Sequence, residues 1–573
     1  MKHMHLFRAL NALPYVLALC ATAGAQDRTL HTFERVQLTD TYFSEGAGVG
    51  DINGDGKPDV VYGPHWYQGP DFKNAHEIYP PKPQNTKAYA DHFFAWVYDF
   101  NKDGYGDIFV VGFPGTPAFV YENPGKDKWD THWKKHEVIN SVANESPQFT
   151  NIVGDDRPEL VCTNAGYFGY ATIDWDKPFE KWTFHRVSAK IAAVRFGHGL
   201  GVGDVNGDGR SDIIHAGGWF EQPATLGGED SEWTFHKTPF TNAYGGADMF
   251  AYDVDGDGDN DIITSLAAHE YGLAWYEQTK DEGKVTFKQH VIMGKKPWEN
   301  RYGVLFTELH SVALADIDGD GLKDIVTGKT YWSHHDRSPM WDAGAVTYWF
   351  KLVRTKDGVD FLPMKADGEA GIGRQLGVAD LNSDGLPDML MGGMRGGHVL
   401  IHSKKAANES EWLAAQPKLY EGPRENPVTR VKGALEGESL KGKVTGGRLV
   451  KQNMASFNKD TWSGDEQLFW IGAKPGDKLD LEFAADADGT YELAINFTKA
   501  RDYAIVRLHL DGKTIGDTID LFNSPDVIKS GDIKLGKHEL SKGKHTLTGE
   551  SAGINPKAAK ASMVGIDYVL VTK

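Results

Sequence analysis

A nine-residue acidic pattern, Asp51-Ile-Asn53-Gly-Asp55-Gly-Lys-Pro-Asp59, returns seven times along this chain, with starts at Asp51, Asp99, Asn151, Asp204, Asp253, Asp316 and Asp380. Self-similarity at a spacing of about fifty residues means a stack of like supersecondary units rather than one ordinary core. In six copies, side-chain oxygens stand at positions 1, 3, 5 and 9, with a glycine at position 6 where the turn needs permissive backbone. Such a donor set suits calcium, a hard cation that prefers oxygen ligands. The expected ligands are Asp51, Asn53, Asp55 and Asp59; Asp99, Asn101, Asp103 and Asp107; Asp204, Asn206, Asp208 and Asp212; Asp253, Asp255, Asp257 and Asp261; Asp316, Asp318, Asp320 and Asp324; and Asp380, Asn382, Asp384 and Asp388. The third copy, Asn151 to Glu159, has Val153 at position 3 and Asp156 in place of the glycine, so no ion is expected there. An EF-hand is excluded: position 12 of the first copy is Tyr62, and an apolar strand follows rather than a helix.

Around each loop the same order recurs, which predicts four strands per unit. One apolar strand precedes the loop, as in Gly48 to Gly50, and a second follows it, as in Ile213-Ile214. The third carries an aromatic pair (Trp66-Tyr67, Trp219-Phe220, Trp275-Tyr276, Trp349-Phe350), and the fourth reads Thr183-Phe184-His185 or Thr234-Phe235-His236. Four strands repeated seven times predict an all-β chain with a seven-bladed β-propeller over residues 26–425. Thr32-Phe33-Glu34 matches the fourth-strand pattern before any blade has begun, so it is one candidate to close the ring, and Trp412 to Tyr420 is the other.

Beyond about Val431 the loops cease and alternating strands begin, among them Lys478 to Phe483, Thr490 to Phe497 and Gly565 to Val571. A separate β-sandwich is expected over 431–573. Trp462 and Trp470 are candidates to stack on sugar rings, although buried aromatics are commoner. At the other end, Lys2 and Arg8 precede an apolar run from Ala9 to Cys20 and then Ala23-Gly24-Ala25, the pattern of a cleaved signal peptide over residues 1–25. Export leaves Cys162 as the single thiol, so packing and bound ions rather than disulfides must stabilise the chain. A net charge of −19 argues against nucleic acid as a partner and for cations. No later segment is long and apolar enough to span a bilayer.

The loops join the first two strands at one end of each blade, so the insertions Lys82 to Asp91, Met293 to Leu309 and Gly328 to Val346 gather at the other. Loops held on a rigid scaffold are where binding residues accumulate. The residue six places before each loop start gives a ring at that mouth: Glu45, Phe93, Glu145, His198, Ala247, His310 and Arg374. Of these, His198, His310, Arg374 and Glu145 are the candidate catalytic groups. Glu45, His92, Asp248, His269 and Gln375 are candidate substrate contacts, with His334, His335, Tyr244, Tyr271 and Tyr302 nearby. Imidazoles with a carboxylate also suit a transition metal such as zinc, with His198, His215 or His310 and Glu145 as ligands.

The loops resemble those of the FG-GAP/VCBS repeat propellers, over residues 30 to 425. That resemblance implies the fold and calcium, but not one function, since integrin heads, lectin-like proteins and lyases share it. With Gly-Trp-Phe-Glu-Gln-Pro at 218 to 223 and His-Gly-Leu-Gly-Val-Gly-Asp at 198 to 204, the chain is similar to the propeller of aldos-2-ulose dehydratases, whose added cupin domains have no counterpart here. The C-terminal segment resembles the jelly-roll sandwiches of carbohydrate-binding modules. The expectation is a secreted, periplasmic or extracellular protein whose partner is carbohydrate. It would perform β-elimination on a keto-sugar or a uronate-containing glycan as a lyase or dehydratase. In that scheme Arg374 or a metal polarises the carbonyl, and His198 or His310 takes the proton. The alternatives are a non-catalytic glycan- or protein-binding propeller and, third, a glycoside hydrolase with Glu45 and Glu145 as its acid pair.

Overall fold

The computed structural model describes residues 28–573, apart from 228–230, 242–244, 282–283, 332–337, 357, 423–429, 455–456, 458 and 560. Residues 1–25, where a signal peptide is expected, and Tyr244, His334 and His335 lie outside the described residues. The chain is all-β and divides into two compact units between Gly422 and Pro423.

In the first unit, seven four-stranded antiparallel arrays follow one another among the described residues, and they are numbered I to VII here in chain order. Array I is typical: Ala47–Gly50, Asp59–Tyr62, His65–Tyr67 and Ala75–Glu77 pair in sequence order. Its first two strands are joined by the acidic loop, so every such loop caps the C-terminal end of a first strand. The first strands of IV and V pair in parallel, Leu200 opposite Asp248, and isolated parallel bridges join Gly46 to Gln375 and Asn144 to Gly197. That closeness has a steric price at Gly201, where a Cβ would lie 1.8 Å from the Met249 carbonyl oxygen.

Array VII takes its fourth strand from the start of the unit. Thr29–Thr39 pairs antiparallel with Gly396–Ala406, Phe33 opposite His402. The other candidate, Trp412 to Tyr420, begins inside a helix, Glu409–Ala415, whose start is fixed by a reciprocal capping box between the N-cap Asn408 and Glu411. The aromatic pairs lie on third strands as expected, and they are buried between neighbouring arrays: Trp66 packs with Ile108, for example, and Trp349 with Met389. Cys162 is buried in one of these cores, as a small apolar residue whose thiol pKa burial pushes up.

The second unit is a sandwich around a single core. One sheet runs Arg448–Asn453, Glu466–Ile471, Val564–Thr572, Gly489–Lys499, Ile528–Leu540, and the other Lys441–Val444, Lys478–Ala485, Gly543–Ile554, Ala504–Leu510, Lys513–Asp520. Alternation sets the core face: Leu479, Leu481 and Phe483 on one sheet meet Leu493, Ile495 and Phe497 on the other. Trp462 and Trp470 are not sugar platforms; they are 1% and 0% exposed, and their indole N–H groups donate to Thr498 Oγ1 and the Gly446 carbonyl. A sandwich this thin needs large apolar side chains in its middle, and both tryptophans also found a hydrogen-bond acceptor there.

Candidate functional site

Because the residue six places before each loop sits at or just ahead of the start of a first strand, the ring positions converge at the end of the first unit away from the acidic loops. Arg374 is at the centre. Its side chain is fully buried, its Nε donates to Glu145 Oε2 at 2.9 Å, and its guanidinium lies 5.5 Å from the centroid of the Tyr89 ring. Its backbone N–H donates to the Glu45 carbonyl at 2.7 Å. The chain can come this close only because Gly373 precedes it, where a Cβ would lie 1.7 Å from that same oxygen. Glu45 is itself buried and accepts a hydrogen bond from the Tyr42 hydroxyl. Burial pushes the Glu45 carboxyl pKa up and Arg374 opposes it; the two carboxylates hold Arg374 more firmly protonated than usual against its own desolvation.

Beside this charged group three histidines meet. The ring centroids of His198 and His269 are 4.8 Å apart and nearly perpendicular, those of His269 and His310 are 4.9 Å apart, and those of His198 and His310 are 5.8 Å apart. His198 and His269 are half-buried, whereas His310 is 1% exposed. Burial lowers the His198 pKa, the nearby Glu145 opposing, so its imidazole is neutral at pH 7. Behind His310 stands Glu308, its Oε2 3.5 Å from His310 Nδ1 and both side chains 0% exposed. Lys329 is buried close by and its ammonium donates to the Thr330 carbonyl.

The structure therefore brings Glu45, Glu145, His198, His269, His310 and Arg374 together, but it changes which of them a ligand can touch. Arg374 has no exposed surface and its charge is already balanced by Glu45 and Glu145, so it cannot polarise a substrate carbonyl. The same burial removes Glu45 and Glu145 as a hydrolase acid pair and Glu145 as an accessible metal ligand. His310 lies behind the other two imidazoles, which leaves His198 and His269 at the solvent edge. Phe93 and Ala247 are core residues.

Five further residues named from the sequence stand elsewhere for identifiable reasons. His92 bonds the Tyr79 hydroxyl at 2.7 Å in a separate cleft of about 270 Å³, where burial pushes its pKa down to about 4. Gln375 clamps the backbone N–H and carbonyl of Ala95, at 2.8 Å each. Asp248 accepts from Gln148, Ser311 Oγ and the Val312 N–H, tying three arrays together. His215 packs against Phe168, Phe220 and Phe235, with its pKa pushed down to about 4 by burial, and not with the other histidines. The Tyr302 hydroxyl donates to Asp360. Tyr42, Tyr89 and Glu308 escaped sequence reasoning because they hold no fixed offset from the loops; a Glu-x-His spacing at 308 and 310 was the one available signal.

At the opposite strand ends, the acidic loops offer the hard oxygen donors that calcium requires. Ligand oxygens of Asp253, Asp255 and Asp261 lie within 4.8 Å of one another, as do those of Asp316, Asp318 and Asp324. In the second case Lys351 reaches Asp318 and Asp320 with its ammonium. The ninth residue of each loop has a structural part of its own. Asp59 Oδ2 accepts the Ile52 N–H and its Oδ1 accepts the Gly69 N–H, and Asp107, Asp212, Asp261, Asp324 and Asp388 repeat both bonds. Glu159 makes the first of them even in the third loop. This carboxylate staples the loop to the third strand, and burial pushes it up, to about 6 for Asp59 and about 8 for Asp324. A divalent cation alongside would oppose that shift. The three histidines form no such cluster of ligand atoms in this arrangement among the described residues. In the second unit, half-buried Glu436 and buried Glu438 and Asp567 gather as an acidic group, with Arg430 3.3 Å from Glu438 and Lys529 3.8 Å from Asp567.

Residues 253–327 match the FG-GAP-like repeat. Two curated relatives are rhamnogalacturonan exolyase YesX of Bacillus subtilis (strain 168), 23% identical over 52% of this chain and 49% of its own length, and integrin alpha pat-2 of Caenorhabditis elegans, 26% identical over 36% of this chain and 18% of its own length. The chain thus spans less than half the length of these relatives. Among solved structures, a family 35 carbohydrate binding module from an environmental isolate aligns over 24% of this chain and 92% of its own, with 16% identity and a TM-score of 0.19. No helix among the described residues is long and apolar enough to cross a membrane.

Proposed function

We propose that the first unit is a calcium-loaded seven-bladed β-propeller of an exported protein that acts on a glycan by β-elimination, as a lyase or sugar dehydratase. The observation that carries this reading is the pair of half-buried imidazoles, His198 and His269, meeting edge to face over the buried His310. Neutral His198 accepts the proton from the carbon next to a carbonyl or carboxylate. The freed electron pair becomes the carbon–carbon double bond as the bond to the β-oxygen breaks, and the second imidazole, protonated, returns a proton to that oxygen. Arg195, exposed three residues before His198 and 5.5 Å from the centroid of the Phe113 ring, takes the charge-neutralising role that burial denies to Arg374. Support comes also from the exolyase relative and from the sandwich, read as a carbohydrate-binding-module-like jelly roll over 431–573.

A second reading, a non-catalytic glycan binder, is favoured by the burial of Arg374 itself, since the most strongly charged group of the ring is committed to the fold. Ultraviolet absorbance during incubation with keto-sugars and uronate-containing polysaccharides separates the two. The wild type should build a conjugated-product band, and His198→Ala should lose about 10²- to 10⁴-fold in rate with an unchanged circular dichroism spectrum. No band with any substrate from a calcium-loaded sample, together with saturable glycan binding, would favour the binder instead.

A further inference from the structure

We propose that Glu308 is a positioning residue for the histidine cluster: its buried carboxylate fixes the tautomer and orientation of His310, on which the substrate-facing His198 and His269 rest. The inference builds on the reading of this cluster as the reacting site.

Three independent features of Glu308 point the same way. Its backbone adopts φ 65°, the left-handed region that a side chain bearing a Cβ occupies at a cost. Strain of this kind persists where the surroundings over-determine a residue, and it concentrates at functional sites. The surroundings here do so. The Glu308 N–H donates to the Glu270 carbonyl at 3.2 Å, and its own carbonyl accepts from the N–H groups of His310 and Thr330, at 2.9 and 3.2 Å, and from Thr330 Oγ1 at 3.2 Å.

Its side chain, moreover, is turned into the protein. A glutamate with 0% exposure carries a large desolvation cost unless it is paired. Its neighbours are His310 and Lys329, whose own pKa burial lowers while Glu308 opposes.

Finally, both acceptors that Glu308 offers lie beside the same ring nitrogen. His310 Nδ1 is 3.3 Å from the Glu308 carbonyl oxygen and 3.5 Å from its carboxylate. The Thr330 hydroxyl, 3.5 Å from the same nitrogen, gives its proton to the Glu308 carbonyl, so oxygens that accept surround Nδ1 and favour the tautomer in which it carries the proton. Nε2 is then the basic nitrogen of a ring centred 4.9 Å from His269. A carboxylate that holds one ring nitrogen protonated sets the basicity of the other. Proton movement through the cluster would then start from a single defined tautomer.

The test uses full-length protein labelled with ¹⁵N-histidine, with His310→Ala to assign the ring. Long-range ¹H–¹⁵N spectra of the wild type should show His310 as the neutral Nδ1–H form. Glu308→Gln should alter that signal and lower kcat by about 10- to 100-fold, with KM within about twofold. Glu308→Gly suits the left-handed backbone and guards against a variant that fails to fold; it should alter the same signal without loss of melting temperature. An unchanged His310 tautomer in both variants would overturn the proposal, and so would a wild-type His310 protonated at Nε2. Should no glycan be turned over by the wild type, the elimination reading fails while the spectra still decide the role of Glu308.

Discussion

The two units of this chain bury their apolar surface in opposite ways. The sandwich has one continuous core, into which both sheets send alternate residues such as Leu481 and Leu493. The first unit has no such centre. Its apolar residues are divided among separate clusters between neighbouring arrays, and where the first strands converge, the buried groups include the polar Glu45, Glu145, His310 and Arg374 beside Phe93 and Ala247. When packing is shared between repeats, the middle is released for polar groups, and a site can be built there from sequence-distant residues. The sandwich has no comparable freedom: its buried acids Glu438 and Asp567 stand beside Glu436 rather than in the middle of the apolar core.

That contrast can be broken by removing one central group from each unit. Arg374→Ala leaves Glu45 and Glu145 buried without their cation and should cost the first unit about 3–5 kcal/mol. Leu493→Ala removes a fully buried side chain and should cost the second unit about 2–5 kcal/mol through the cavity it leaves. In urea unfolding followed by probes specific to each unit, each substitution should shift one transition. If Arg374→Ala is harmless, the polar centre of the first unit is not a structural element. Chelation sharpens the comparison: if the exposed loops hold calcium, chelator should lower the melting temperature of the first unit, and restored calcium should recover it, by the mass-action stabilisation that any ligand of the native state gives.

Much of this arrangement was readable beforehand because the repeat has a fixed register. A constant offset from Asp51, Asp204 or Asp316 returns to the same point on each first strand, so Glu45, Glu145, His198, His310 and Arg374 could be grouped without coordinates. Exposure could not be read this way. Arg374 is buried by Tyr42, Tyr89 and Glu45, which come from the segment around array I, far away in sequence. His215 ends a second strand, and whether its ring meets the cluster or Phe168, Phe220 and Phe235 depends on strand alternation and on the neighbouring array. Two segments competed for the closing strand. The Asn408 to Glu411 capping box decides between them locally, but only once helix is weighed against strand at that place.

Acid sensitivity should also differ, beginning with Asp248. Burial raises its carboxyl pKa to about 6, against 3.8 for the free side chain. The folded state therefore holds the proton more tightly than the unfolded one. Stability from this group is fully present below pH about 4 and is lost as pH rises towards 6, by about 1–2 kcal/mol after allowance for its partial exposure. Asp248→Asn keeps an acceptor for Ser311 and Val312 and can still bond Gln148 once that amide flips. It should be neutral or stabilising at pH 7, and with calcium saturating it should flatten this part of the stability profile of the first unit. A steeper profile would mean that the carboxylate form is the one the three arrays require.

The smallest effect belongs to the sandwich and occupies a different window. His545 Nδ1 lies 2.7 Å from Asp511 Oδ2, and its Nε2 is 2.8 Å from the Ser541 carbonyl. Both acceptors raise the pKa of His545 above 6.5, the carboxylate most. A histidine whose folded pKa is raised stabilises the fold below its unfolded value and loses that contribution as pH rises through the folded one. The second unit should accordingly weaken slightly above pH about 6.5, where the Asp248 contribution to the first is already exhausted. Asp511→Asn removes the carboxylate and should reduce the slope to the smaller part that the Ser541 carbonyl sustains, while leaving the first unit untouched. If both units instead weaken together above that pH, their titrations are coupled, and the separation drawn between the two ways of building a core does not extend to their electrostatics.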